Sequence, residues 1–192
     1  MSKKVVLAFS GGLDTSFCVP YLKEQGYEVH TVMVNTGGFS AEEEAAIEKR
    51  ALTLGAASHK NVNAVDTYYN KGIKYLIYGN ILKNATYPLS VSSERVFQAL
   101  EVLKHVKELG ADAVVGHHPH VPENYELFEN NKAIFYSLGN FIFDTDYQRA
   151  HLYTENGILL KLLFTEEKMD FEATGIQIIR GPEQIDIAPL PD

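Results

Sequence analysis

The sequence has few of the features that would tie it to an oxidising compartment or to a membrane. Cys18 is its single cysteine, so no disulfide framework can form within the chain. No apolar run approaches the roughly 20 residues that a membrane-spanning helix needs. The residues after Met1 lead directly into a strand-like segment rather than into a signal peptide. We therefore expect a soluble, cytoplasmic protein.

Positive charge is also scarce. The 192 residues carry 17 Lys and Arg against 25 Asp and Glu, a formal net charge of −8. This balance argues against nucleic acid or an anionic membrane surface as the main partner. The charge is uneven, with 12 basic and 12 acidic residues through Val115 but 5 and 13 from Gly116 onward. Such asymmetry indicates two parts with different histories or partners. The oligomeric state stays open, and a homo-oligomer is one alternative.

A Walker A loop is missing, because no Gly-Lys-Ser/Thr follows a glycine at the required spacing. The chain has instead Ala-Phe-Ser-Gly-Gly-Leu-Asp-Thr-Ser at residues 8–16, between an apolar strand-like run and a helix-like stretch. Glycines let the backbone approach a ligand, and the free N–H groups of a helix start favour negative charge. The loop therefore predicts a phosphate site. An ordinary strand-to-helix turn capped by Ser10 or Asp14 is the alternative.

Strands and helices alternate through the first 115 residues. The patterns predict strands over 4–9, 28–35, 57–62 and 113–115. They predict helices over 14–25, from a Ser40 cap, and over 95–109 after a start at Ser92 and Ser93, with helical segments over 65–82. This order predicts an α/β fold with a doubly wound parallel sheet. Ligands of such sheets bind beyond the carboxyl ends of the strands, where Ser10–Asp14 and Asn35–Gly38 would lie.

The pattern changes after Gly116. A His117-His118-Pro119-His120 loop precedes short strand-like runs over 133–138, 141–143, 157–164 and 171–179, and the tail over 182–192 is predicted to be irregular. The second part is therefore expected to be mostly β. His118 and His120 lie two residues apart, so both side chains can face one divalent transition metal. A solvated histidine loop is the alternative.

Other conspicuous side chains are interpreted as structural. Cys18 has no nearby histidine to activate it and is expected to be a small core residue. The lone histidines are expected to pack or to lie on the surface, and the tyrosines of the 65–82 segment are expected in the core rather than in a base-stacking platform. The residues concerned are His30, His59, His105, His151, Tyr68, Tyr69, Tyr75 and Tyr78.

From residue 3 to about 115, the chain resembles the N-terminal half of argininosuccinate synthase. The motifs are the pyrophosphate-type loop at 8–16, Asn-Thr-Gly-Gly at 35–38, Tyr-Pro-Leu-Ser-Val-Ser-Ser-Glu-Arg at 87–95 and Gly-Ala-Asp-Ala-Val at 110–114. In that family the citrulline ureido oxygen attacks the α-phosphate of ATP, and the aspartate amine then displaces AMP. The resemblance implies an adenine nucleotide alpha-hydrolase-like fold, a ligase activity in arginine biosynthesis, and ATP with Mg²⁺ as cofactors.

The same resemblance implies roles for individual residues. ATP would be held by Ala8, Phe9, Ser10, Gly11, Gly12, Leu13, Asp14, Thr15, Ser16 and the backbone of Val34. Tyr87 and Ser92 would bind citrulline, and Asp14 and Arg95 are the catalytic candidates, with Arg95 near the citrulline carboxylate or the phosphates. The family's second glycine-rich loop, which binds ATP and aspartate, is replaced here by Gly-His-His-Pro-His at 116–120. The family's C-terminal synthetase region also has no counterpart, so we expect the fragment to be incomplete for turnover.

From about Gly110 onward, the chain is similar to the C-terminal part of the poly-γ-glutamate capsule synthesis (CapA-type) metallophosphatase-like proteins. The motifs are Gly-Ala-Asp-Ala-Val-Val-Gly-His-His-Pro-His-Val at 110–121 and Ala-Ile-Phe-Tyr-Ser-Leu-Gly-Asn-Phe-Ile-Phe-Asp at 133–144. This likeness implies His118 and His120 as metal ligands, although the family's earlier ligands are missing. The chain is thus predicted to be a hybrid of parts 1–115 and 116–192, from a gene crossover, an assembly artefact or design. Its function would be that of an ATP-binding ligase fragment or, alternatively, of a metal-binding or inactive capsule-synthesis module.

Overall fold

The computed structural model describes residues 3–83, 87–116, 120–128, 132–141, 154–165, 168–181 and 184–190. The helices are α1 (Leu13–Glu24), α2 (Ala41–Leu54), α3 (Val65–Tyr68), a π-helix (Tyr69–Ile73), α4 (Lys74–Tyr78) and α5 (Leu89–Leu109). The strands are β1 (Lys3–Ala8), β2 (Tyr27–Asn35), β3 (Ser58–Asn63), β4 (Leu82–Lys83), β5 (Tyr87–Pro88), β6 (Ala113–Val115), β7 (Tyr125–Phe128), β8 (Lys132–Phe135), β9 (Asn156–Phe164), β10 (Met169–Arg180) and β11 (Ile185–Pro189). The chain divides into two compact units, Met1–Ala111 and Asp112–Asp192.

The first unit is built on a parallel sheet with the strand order β1-β2-β3. The register pairs Ala8 with Val32 and Asn35 with Asn63, so the carboxyl ends of the three strands reach the same edge. The central strand β2 is buried from Val29 to Asn35. A strand covered on both faces reads as a continuous buried run, as this one does.

Helices cover both faces of that sheet. On one face, Val19 of α1 and Ile47 of α2 pack with Val29 and Met33 of β2. On the other face, Val102 of α5 packs against a cluster that includes Val32 and Val34 of β2. Alternate residues of β2 therefore belong to the hydrophobic cores on opposite faces of the sheet. The prediction of a doubly wound α/β unit is confirmed.

Helix α2 begins at a complete capping box. The Ser40 side chain accepts a hydrogen bond from the Glu43 N–H, and the Glu43 carboxylate accepts one from the Ser40 N–H at 2.8 Å. The helix ends at Gly55, whose φ of +104° lies in the left-handed region that favours glycine. The start predicted at Ser40 is confirmed.

The 65–82 segment contains several helical segments, as predicted, and each of them is short. It breaks into α3, the five-residue π-helix and α4, so a single helical face does not run through it. Tyr68 is buried, but Tyr69, Tyr75 and Tyr78 are 49%, 60% and 82% exposed. The expectation that these tyrosines lie in the core is therefore correct for Tyr68 and wrong for the other three.

Helix α5 begins earlier than the sequence predicts. It starts at Leu89, directly after Pro88, rather than at Arg95. The fixed φ of proline suits the residues that precede a helix. Ser93, expected to mark the helix start, lies inside it, and its hydroxyl donates to the Ser90 carbonyl at 3.0 Å.

The second unit is dominated by strands, as predicted. One sheet has the order β6-β8-β7 and the other the order β11-β10-β9. Ala133, Phe135 and Met169 form the centre of its core. Strand β6, expected in the first part, pairs in parallel with β8. Within the tail predicted to be irregular, residues 185–189 form β11, which pairs antiparallel with β10 at the edge of the sheet. An edge strand tolerates a proline such as Pro189.

No helix in the described ranges is both long enough and apolar enough to span a bilayer.

Candidate functional site

Two loops lie at the carboxyl edge of the parallel sheet. The Ser-Gly-Gly loop (residues 9–12) connects β1 to α1, and the second loop (residues 36–39) follows β2. Phe9 at the base of the first loop is buried, and its N–H donates to the Val32 carbonyl at 2.8 Å. Because the strands are parallel and in register, both loops open from the same side of the first unit.

Gly11 gives the Ser-Gly-Gly loop its shape. Its φ of +74° is in the left-handed region, and a Cβ there would lie 3.1 Å from Cγ1 of Ile47. Its carbonyl accepts hydrogen bonds from the Arg50 guanidinium and, at 3.5 Å, from the Ser16 hydroxyl. The backbone conformation favours glycine at this position, and the close packing against α2 leaves little room for a side chain.

Helix α1 begins without a side-chain cap. Its N-cap is Gly12, in an extended conformation, and none of the described side chains caps the helix. The Ser10 hydroxyl only accepts a long hydrogen bond from the Gly12 N–H, at 3.4 Å. The Gly12 carbonyl accepts the Ser16 N–H at 3.0 Å. An ordinary turn capped by Ser10 or Asp14 is therefore not what the loop forms, and the helix start points its N–H groups at the loop.

The backbone of Val34 faces the space next to the Ser-Gly-Gly loop. Residues two apart on a strand direct their N–H and C=O groups to the same neighbour, and Val32 directs its groups to β1. Val34 thus directs its groups to the β1 side, beyond Ala8, the last residue of β1 that pairs. The Val34 side chain is buried in the core under α5, so a ligand would meet its backbone.

A buried asparagine holds the second loop. Asn35 is 6% exposed, and its Nδ2 donates to the Phe39 carbonyl at 2.8 Å and to the Glu44 carboxylate at 2.6 Å. Its Oδ1 accepts the N–H of Gly37 at 2.8 Å and that of Phe39 at 3.4 Å. One side chain thereby supplies both donors and acceptors to the turn, as an Asx residue does.

Hydrogen bonds among polar side chains connect helix α5 to the second loop. The Thr36 hydroxyl donates to Glu94 Oε1 at 2.5 Å, and Gln98 Nε2 donates to the same oxygen at 3.2 Å. Arg95 Nη1 donates to Gln98 Oε1 at 2.6 Å. We call Thr36, Glu94 and Gln98 the loop latch. The sequence singled out Arg95 but missed Glu94 and Gln98, whose only signal is their spacing of four on a helix.

Tyr68 holds the start of α5 in place. The Tyr68 hydroxyl donates to the Ser90 carbonyl at 2.5 Å, and its ring packs on Phe97 with centroids 5.2 Å apart. The structure describes the backbone of Tyr87 in β5 and of Ser92 in α5, while their side chains lie outside the described part. Their proposed contacts with citrulline stay predictions.

Cys18 and the histidines of the first unit have structural roles. Burial, and then the charge of Asp14, raise the pKa of the Cys18 thiol, which makes it a weaker nucleophile at neutral pH. His59 Nδ1 lies 2.8 Å from the Thr31 hydroxyl, and its Nε2 lies 2.9 Å from Asn61 Oδ1. His30 Nδ1 lies 2.8 Å from the Ser58 hydroxyl. These pairs satisfy polar groups between β2 and β3.

In the second unit, one residue of the histidine loop is described. His120 has a φ of +63°, and its Nδ1 lies 2.8 Å from Oδ1 of the buried Asn140. Asn140 in turn donates to the Thr154 carbonyl at 3.0 Å. His118 lies outside the described residues. Among those that are described, no three His, Cys, Asp or Glu side chains form a group that could hold a metal ion.

The parallel sheet, the helices on both faces and the glycine loop at the head of α1 define a doubly wound α/β domain with a loop of the phosphate-binding type. Residues 4–120 match the family model described as the Arginosuccinate synthase N-terminal HUP domain. The chain belongs to the argininosuccinate synthase family through this domain. Residues 96–145 match the model described as Bacterial capsule synthesis protein PGA_cap. The two matches share residues 96–120, which run from α5 through β6 to His120.

Curated relatives agree with the first match. The argininosuccinate synthase of Xylella fastidiosa is 49% identical over 113 residues, 59% of this chain and 28% of the relative. That of Xanthomonas campestris pv. campestris is 50% identical over 109 residues, 57% of this chain and 27% of the relative. That of Hyperthermus butylicus is 44% identical over 111 residues, 58% of this chain and 28% of the relative. The chain thus spans little more than a quarter of the length of these relatives.

Among solved structures, NAD+ synthetase from Burkholderia pseudomallei aligns with 56% of this chain and 48% of its own, at 18% identity and a TM-score of 0.35. That likeness is too weak to bear on function.

Proposed function

We propose that the first unit binds ATP with Mg²⁺ as a fragment of an argininosuccinate synthase-like ligase. The observation that carries the proposal is the uncapped start of α1 behind the left-handed Gly11, within a domain of this family. Free N–H groups at a helix start and the helix dipole favour an anion. Residues 8–16 would hold the phosphates, and the backbone of Val34 would meet the nucleotide.

The second loop and α5 would complete the substrate side of this site. Arg95 would lie near the citrulline carboxylate or the phosphates, with Tyr87 and Ser92 contacting citrulline as the family resemblance implies. The latch supports this arrangement, because it joins the loop at the sheet edge to the turn of α5 that carries Arg95. Arginine suits this role, since its planar fork binds carboxylate and phosphate oxygens in pairs.

Calorimetry of the full chain tests nucleotide binding. We expect MgATP to bind with micromolar to millimolar strength, on the order of 4–8 kcal/mol. Gly12→Val should abolish the heat by filling the loop, and Asp14→Ala should change it. Asp170→Ala, an exposed acid of the second unit, is the matched control and should bind as the native chain does. Equal heats for the native chain and both loop variants would refute the proposal.

Complete synthesis is expected to be absent. With citrulline, aspartate and ATP, the chain should form no argininosuccinate above background, because a histidine loop replaces the segment that orients aspartate in the family. Near-attack geometry accounts for much of the rate of such reactions. Mass spectrometry is the measurement. Argininosuccinate that disappears in Ser92→Ala would contradict this expectation.

A second candidate function is weak metal binding by the histidine loop, and the observation that favours it is the contact between His120 and Asn140. Asn140 Nδ2 donates to the Thr154 carbonyl, so its Oδ1 accepts, and His120 Nδ1 must carry the proton. That tautomer leaves the lone pair on Nε2, the atom that would bind a metal together with His118. The match of residues 96–145 to the capsule synthesis model supports this reading.

Metal content after mild dialysis tests the second candidate. We expect a divalent transition metal at substoichiometric levels, and no phosphoesterase activity with added Mn²⁺. His120→Ala should remove the metal, and His105→Gln in the first unit should not. Tightly held stoichiometric metal, or turnover that His120→Ala abolishes, would show that a complete site exists.

A further inference from the structure

The Ser-Gly-Gly loop carries no cation of its own. Between Ala8 and Ser16 the sequence has no lysine or arginine, and its one charged residue is Asp14. Backbone N–H groups and a helix start supply only partial positive charge, about half an elementary charge. Phosphate sites commonly add a lysine or arginine to this. A polyphosphate bound at this loop would therefore need a cation from another element.

Helix α2 brings a cation to the loop. Arg50 Nη1 donates to the Gly11 carbonyl. Ile47, three residues earlier and on the same helix face, packs against the same glycine. Ala51 is fully buried in the core beneath. The position of the guanidinium is thus fixed on the helix side by packing and on the loop side by a hydrogen bond.

We propose that Arg50 is a phosphate-binding residue of this loop, contacting the pyrophosphate portion of ATP. A guanidinium has five N–H donors in a planar fork, and the bond to Gly11 uses one of them. Arg50 is exposed, so a ligand can reach the fork without a rearrangement of the core. The inference rests on the proposed function, because it requires phosphate at the Ser-Gly-Gly loop.

Calorimetry with three probes separates the effect of the Arg50 charge on a phosphate from the effect of its hydrogen bond to Gly11. The full chain is titrated with ATP, inorganic pyrophosphate and adenosine at two salt concentrations. Arg50→Gln keeps an N–H donor for Gly11 but removes the charge, and Lys49→Gln removes the same charge from the neighbouring exposed position. We expect Arg50→Gln to weaken pyrophosphate and ATP roughly tenfold or more. It should leave adenosine unchanged and reduce the salt dependence, while Lys49→Gln should stay within about twofold of the native chain.

The outcomes are distinguishable. If the native chain binds pyrophosphate and Arg50→Gln binds it equally well, the role of Arg50 is refuted while the proposed function stands. If only Arg50→Ala weakens binding, the residue acts by holding Gly11, and the proposal of a charge contact is wrong. If the native chain binds neither ATP nor pyrophosphate, both proposals fail. Arg50→Lys, which keeps the charge, should recover part of the affinity and guards against a folding defect in the other variants.

Discussion

At the scale of single residues, Asn35 shows how one buried amide can shape a functional loop. Asn35→Ala would leave the Gly37 N–H and the Phe39 carbonyl without this partner in a part-buried turn. Unsatisfied groups of this kind cost about 1–3 kcal/mol. We expect the free energy of unfolding to fall by about 2 kcal/mol in urea titrations. Asn70→Ala, at an exposed position on the π-helix, should change it by less than about 0.5 kcal/mol.

The limits of prediction are also visible at this scale. The sequence identifies Gly11 as a loop glycine, because glycines between a strand and a helix are a local signal. It does not identify Arg50 and Glu94, because their partners lie 39 and 58 residues away in the sequence. Contacts over such separations are set by how helices pack on the sheet, which a residue pattern does not specify.

At the scale of elements, the loop latch couples α5 to the second loop. Glu94→Ala removes the acceptor that Thr36 and Gln98 share. We expect faster amide hydrogen exchange at Gly37 and Gly38, by roughly tenfold, because local opening costs less when a hydrogen bond to a charged group is lost. Glu94→Gln keeps an acceptor oxygen and should exchange at an intermediate rate. Glu101→Ala, elsewhere on α5, is the control, and unchanged exchange in Glu94→Ala would disprove the latch.

Glu108 ties the far end of α5 to the sheet, and its effect depends on pH. Hydrogen bonds from Lys60 and then His105 lower the pKa of the Glu108 carboxyl below its usual value. A lowered folded pKa stabilises the protein above the unfolded pKa, and the contribution is lost as pH falls through the folded pKa. Glu108→Gln should therefore lower the melting temperature slightly at neutral pH and not after strong acidification. A difference that persists in acid would show that packing, not charge, is responsible.

Elements with strong local signals were predictable. The strands and helices from β1 to β3 follow their hydrophobic and capping patterns to within one residue at each predicted boundary. The sequence does not predict β7, a four-residue strand without a marked hydrophobic alternation. It does not predict β11 because the three prolines between residues 182 and 192 favour irregular structure. The early start of α5 was missed because the serines suggested a cap within the helix.

At the scale of the whole molecule, the two units have separate cores. The chain has no tryptophan, so Tyr21→Trp and Tyr125→Trp each report on one unit. We expect ATP at about 100 times its Kd to stabilise the first unit by about 2.7 kcal/mol. That corresponds to a rise of roughly 10 °C or more in the melting temperature of the Tyr21→Trp chain. The Tyr125→Trp chain should show no shift, and equal shifts would show that the units melt as one.

Strand β1 lies at the edge of its three-stranded sheet and begins with Lys3 and Lys4. An edge strand presents a row of backbone donors and acceptors that can recruit a strand from another molecule. Two adjacent lysines repel a second copy of the same edge and so act as gatekeepers against self-assembly. Lys3 and Lys4 thus oppose pairing along this edge through their position, although the chain as a whole carries a net negative charge.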